Sequence, residues 1–157
     1  MAQRHSEYAR VAGDTYVTPK WVYDALYAAE DFSAGVWDCA PIVARDIGLD
    51  FLTTNMRPHA HIVTNPPFSL AEAFIRRALE LTMPKMCKVA MLLPHAYDTA
   101  RGRLDLFAEP PFKVKYTLLR RIRWENLEQK PSGPSMNHAW YVWDWTYRGR
   151  PKLWWLT

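Results

Sequence analysis

A chain of 157 residues is long enough for one domain with a real core and too short for two. Hydrophobic residues at 49% and charged residues at 23% exclude disorder, and no apolar run approaches the length that crosses a bilayer. The net charge of +4 is uneven: residues 1–100 carry 9 Lys+Arg against 11 Asp+Glu, net −2, and residues 101–157 carry 11 against 5, net +6.

Residues 1–13 are polar and aperiodic, which predicts a loose arm ahead of a single domain over 14–157. Thr18 and Pro19 read as N-cap and first position of a helix to Glu30, with Val22, Ala25, Leu26 and Ala29 at helical spacing. Gly35 to Cys39 reads as a short strand ending at Asp38, and residues 61–64 as a second strand. Leu70 to Thr82 follows as an amphipathic helix, with Glu72, Arg76 and Glu80 opposite its apolar face. Cys87 to Leu93 is almost continuously apolar, as in a strand covered on both faces. Asp98 is placed to cap a helix through Phe107. Lys113 to Leu119 and His138 to Trp145 then read as an antiparallel pair at the sheet edge, joined by a polar segment that contains the loop Lys130 to Pro134. Strand, helix and strand in this order predict an α/β fold with a mostly parallel sheet.

Cys39 and Cys87 lack metal-ligand spacing and no signal peptide precedes them, so free thiols in a reducing cytoplasm are expected. His59 and His61 have no further ligands at zinc spacing, and no metal is expected.

The stretch Thr64-Asn65-Pro66-Pro67-Phe68-Ser69 joins the second strand to the helix that follows. Adjacent prolines end the strand and stiffen a sharp turn at the strand's carboxyl end, where open α/β sheets bind ligands. A side-chain amide oxygen on Asn65 and the Pro66 carbonyl there form two preorganised acceptors. Both accepting from an exocyclic amino group would draw its nitrogen towards tetrahedral geometry and release its lone pair. Phe68 is placed to stack on a base rotated out of a duplex.

Asn65-Pro66-Pro67-Phe68 resembles the catalytic signature of S-adenosylmethionine-dependent amino methyltransferases, in particular the DNA N6-adenine methyltransferases of phage and prophage genomes. Asp14 to Pro19, Val36 to Ala40, Asp50 to Leu52, Lys88 to Leu93, Arg121 to Trp124 and Trp140 to Asp144 fit the family in order, over roughly residues 14 to 145. The resemblance implies a Rossmann-like class I methyltransferase sheet with a C-terminal antiparallel hairpin, shortened in its N-terminal half. It implies S-adenosylmethionine as cofactor, held by Tyr16, Thr18, Pro19, Asp38, Ala40, Asp46, Asp50, Phe51 and Asn65. It implies a cytoplasmic setting in a bacterial or phage-infected cell. Asp38-Cys39-Ala40-Pro41 stands where the family places a glycine-rich turn.

The basic, aromatic-rich last third predicts a nucleic-acid surface, taken as double-stranded DNA, with Arg101, Arg103, Arg120, Arg121, Arg123, Asn126, Gln129, Lys130 and Asn137 as contacts. No separate recognition domain fits in the chain, so help from a second subunit is a further expectation, with Trp154 and Trp155 as candidate dimer contacts. Two other readings stand beside this one. The first is a methyltransferase-like protein that has lost catalysis and keeps nucleic-acid or partner binding. The second is methylation of RNA adenine or of cytosine N4 by the same amide chemistry. A cytosine-C5 enzyme needs a cysteine after proline, and here Pro41 follows Cys39.

Overall fold

The computed structural model describes residues 17–39, 50–55, 59–109, 111–124 and 136–157. The arm, the loop at 130–134, and Tyr16, Ala40, Asp46, Asn126, Gln129 and Lys130 lie outside these residues. In chain order the elements are α1 (Lys20–Ala29), β1 (Val36–Trp37), β2 (His61–Thr64), α2 (Ala71–Thr82), β3 (Lys88–Pro94), α3 (Leu104–Phe107), β4 (Phe112–Leu118), β5 (His138–Asp144) and β6 (Lys152–Leu156). The six strands form one mixed sheet in the order β1-β2-β3-β5-β4-β6, and only β5 runs against the others. This is an α/β fold with helices on both faces.

The two faces bury different apolar sets. Val22 and Leu26 of α1 pack on Val63, Ala90, Leu92, Tyr116, Trp140 and Val142. On the other side Phe74, Ile75, Ala78 and Leu81 of α2 pack on Ile62, Val89, Met91, Tyr141 and Trp143. β5 lies between β3 and β4 and every one of its residues is buried. Its aromatic residues alternate between faces, and each finds a carbonyl for its polar atom, as buried Trp and Tyr require. Trp140 Nε1 donates to the Val22 oxygen at 3.0 Å, Tyr141 Oη to the His95 oxygen at 2.7 Å, and Trp143 Nε1 to the Leu106 oxygen at 2.7 Å.

Four expectations change. The antiparallel pair is real but does not form the edge, because β6 adds outside β4 in parallel register from Val114↔Lys152 to Leu118↔Leu156. The helix expected from Asp98 to Phe107 is two 3-10 turns, Tyr97–Thr99 and Arg101–Arg103, followed by the short α3. Extended backbone at Ala100, ψ 124°, separates the two turns. Pro19, not Thr18, occupies the N-cap position of α1 and makes no side-chain cap, because the Thr18 hydroxyl is engaged elsewhere. Lys113 and Lys115 do not contribute to a free basic face: Lys113 pairs with Glu30 at 2.9 Å and Lys115 with Asp98 at 2.9 Å. Among the described residues no helix is long and apolar enough to cross a membrane, and no group of His, Cys, Asp or Glu is arranged to hold a metal.

Candidate active site

The carboxyl ends of β1, β2, β3 and β4, the start of α1 and the start of β5 all reach one rim of the sheet. β2 delivers the Asn65 loop there. Its two prolines end the ladder, the Leu70 N–H then donates to the Pro67 oxygen at 2.9 Å, and a 3-10 turn over Phe68–Leu70 leads into α2. Among the described residues nothing donates to the Pro66 carbonyl.

Two sets of hydrogen bonds, one on Asp38 and one on Thr18, hold the loop and the amide of Asn65. Asp38, just past the end of β1, is a carboxylate and can only accept. Thr64 Oγ1 donates to its Oδ1 at 2.5 Å and Tyr23 Oη to its Oδ2 at 3.1 Å. Asn65 Nδ2 donates to the Thr18 hydroxyl oxygen at 3.1 Å. Asn65 Oδ1 is thereby turned away from Thr18, and it is a buried acceptor with no partner among the described residues. A buried amide oxygen left unpaired costs about 1–3 kcal/mol, so it calls for a reason. Burial, then the charge of Asp38, hold the Tyr23 hydroxyl protonated well above its ordinary range. The same two causes keep the buried Cys39 thiol protonated and inert.

Phe68 borders the other side of the loop. Its ring, half-buried, stacks on His138 at the start of β5, with centroids 5.7 Å apart and planes inclined by 28°. Trp124 closes against His138 edge-on at 5.2 Å. Burial lowers the His138 pKa to about 4, the Met136 carbonyl offsetting part of that, so the imidazole is neutral at physiological pH. Neither ring nitrogen meets hydrogen-bond geometry. His138, Tyr23, Thr64 and Trp124 were not among the expected site residues. The signal for His138 was a polar residue opening an otherwise apolar strand.

The expected residues fall into distinct places. Thr18 is hydrogen-bonded to Asn65, Asp38 to the neighbouring Thr64, and Pro19 lies at the head of α1. Asp50 is exposed and shapes a turn, accepting from the Leu52 N–H at 3.0 Å and offering its carbonyl to Thr54 N–H at 3.0 Å. Phe51 is packed into the core between Trp37 and Phe74, at 5.6 and 4.9 Å, and presents no ring to a ligand. Arg101, Arg120, Arg121 and Arg123 are exposed in segments that follow β3 and β4 at the same rim. Arg120 lies over the Trp21 ring, and Arg121 Nε donates to Asn137 Oδ1 at 2.8 Å. Arg103 turns inward onto the Tyr97 ring and carbonyl.

No family model, curated protein or solved structure matches this chain. The site's geometry therefore carries the functional reading.

The opposite rim is a closed electrostatic unit. Glu30, almost fully buried, meets Lys88 and Lys113 at 2.9 Å and the Tyr116 hydroxyl at 2.9 Å, with Asp144 beyond. Burial pushes the Glu30 carboxyl up, but hydrogen bonds from Lys113, Lys88 and Tyr116 outweigh it and hold the pKa below the ordinary value. An open groove of about 640 Å³ lined by Tyr27, Glu30, Asp31, Phe32 and Val36 lies there. Its acids are already engaged, Glu30 as described and Asp31 by Ser33, and it is remote from Asn65.

Proposed function

We propose that this chain transfers a methyl group from S-adenosylmethionine to the N6 amino group of an adenine in DNA. The observation that carries the reading is the orphaned Asn65 Oδ1: the protein buries an acceptor, fixes its amide through Thr18, and leaves the oxygen unpaired. An exocyclic amine that donates to Asn65 Oδ1 removes that penalty, and the cost of orienting the acceptor is met before the base arrives. Pro66 supplies the second acceptor through its carbonyl on a φ locked by its ring. Phe68, backed by His138, offers its remaining face to the flipped base.

The cofactor supplies an electrophilic methyl group. Asp38 and Asn65 put an anion and an amide oxygen at one rim, a donor set complementary to a cation such as a sulfonium or an α-ammonium. Thr18 orients Asn65, and burial with the charge of Asp38 keeps Tyr23 protonated. The exposed Arg101, Arg120, Arg121 and Arg123 at the same rim suit a phosphate backbone, and Asn137, already held by Arg121, is placed to read a base edge. The Rossmann-like methyltransferase sheet is part of this proposal, supported by five strands running one way with the site at their carboxyl ends.

A second reading, a methyltransferase-like binding protein without catalysis, is favoured by Phe51, whose burial removes one expected cofactor contact. Incubation with tritiated S-adenosylmethionine and duplex DNA, followed by nucleoside digestion, separates the two. The enzyme reading expects label in N6-methyladenine. Calorimetry with no cofactor uptake, with or without DNA, refutes it.

A further inference from the structure

β6 is an edge strand whose protective charge is confined to its first residue, Lys152. Leu153, Trp154 and Trp155 are 49%, 62% and 53% exposed, no proline or charge interrupts them, and none of the described residues continues the sheet beyond it. The Leu119 N–H donates to the Leu156 oxygen, so Leu156 turns its backbone groups towards β4. Because strand residues alternate, Trp154 and Lys152 do the same, and Leu153 and Trp155 aim N–H and C=O outward. Trp154 shares the sheet face of Leu156, and Leu153 and Trp155 share the other.

We propose that this edge pairs with β6 of a second copy of the chain, antiparallel and in one register, with Trp154 facing Trp154 across the two-fold axis. In that register Leu153 stands opposite Trp155 of the second copy and Trp155 opposite its Leu153. These are the residues whose backbone groups point outward, so all four outward donors and acceptors of each strand find partners. The axis then falls on a non-hydrogen-bonded pair, where side chains approach most closely and aromatic pairing is most favourable. Shifting the register by one residue sets outward-pointing groups against inward-pointing ones and loses the ladder.

Charge selects the antiparallel arrangement. Lys152 lies two residues from the axis, so the two Lys152 Cα atoms stand about 14 Å apart, beyond the roughly 8 Å screening length at physiological salt. A parallel pairing in register would bring them to neighbouring-strand distance, about 4.8 Å. Area sets the strength. With a Trp offering about 250 Å² and a Leu somewhat less, the exposed fractions of Leu153, Trp154 and Trp155 come to roughly 750 Å² over two copies. That is below the roughly 1,200 Å² of standard interfaces, which makes this a weak, concentration-dependent dimer. Such a dimer is a continuous twelve-stranded sheet whose two candidate sites face opposite edges.

The inference does not rest on the proposed activity, and sedimentation velocity of the full chain from about 5 to about 300 µM tests it. The wild type is expected to shift from monomer to dimer over that range, and Trp155→Pro and Trp154→Lys to stay monomeric. Trp155→Pro removes only an outward N–H, which leaves the ladder to β4 intact, and Trp154→Lys keeps every backbone donor; circular dichroism checks that both fold. A wild type that remains monomeric at the highest concentration overturns the proposal, since the edge is then covered from within the chain or kept for another partner. Dimers that survive both substitutions overturn it equally.

Discussion

Thr18→Val is the most discriminating substitution at the candidate site, because the hydroxyl it deletes orients Asn65 and has no other route to the chemistry. Valine preserves shape. What is lost is the acceptor for Asn65 Nδ2 at 3.1 Å. One half-buried hydrogen bond carries a net of about 1 kcal/mol, so the productive orientation of the amide becomes less populated and the transfer step slows roughly fivefold. Asn65→Ala removes the preorganised acceptor itself and is expected to slow the step by about 10²–10³. The double variant should be no slower than Asn65→Ala alone, since Thr18 has nothing left to orient, which gives a coupling of about 1 kcal/mol. The assay is single-turnover transfer of tritiated methyl to duplex DNA, with cofactor affinity measured separately by calorimetry. If the two effects multiply, and Thr18→Val weakens cofactor binding instead, Thr18 contacts the cofactor directly and the positioning argument is wrong.

Two further outcomes concern stability. His138 is neutral in the fold with its pKa lowered to about 4, so the unfolded chain binds a proton that the folded chain refuses; stability is full above about pH 6.5, falls as pH drops towards 4, and loses up to about 3 kcal/mol. Urea titrations at successive pH values should show that slope, and His138→Phe should flatten it. Glu30→Gln leaves Lys88 and Lys113 facing a neutral amide at a nearly buried position, and is expected to destabilise by about 3–5 kcal/mol in the same titration at pH 7.

The parts legible in the sequence were those set by local chemistry. Two prolines after His61 to Thr64 cannot sit within a ladder, so the turn and its place at a strand end were readable, as was α2 from its 3.6 period. Asp38 at the end of β1 was readable for the same reason. Thr18 was misplaced because two rules compete for one hydroxyl: local capping predicts an N-cap, and a partner 47 residues away takes the side chain instead. Lys113 adds to the positive charge of the last third of the sequence but is not free in the fold, and this was not legible because its partner Glu30 lies 83 residues earlier. Lys152 to Leu156 neither alternates in polarity nor carries a turn signal of its own, so a sixth strand was not visible. Phe51 shows the limit of resemblance, for an aromatic next to an aspartate is as well suited to a core as to a ligand.

The reversed strand β5 has a consequence for biosynthesis. Trp140 fastens Val22, 118 residues away, and His138 supplies the wall behind Phe68. During translation, α1, the Asn65 loop and β3 leave the ribosome with no middle to close upon. The pocket comes into being only when the final fifth of the polypeptide has emerged and threaded between β3 and β4. A nascent or prematurely stopped product therefore lacks this pocket, whatever the integrity of its first hundred residues.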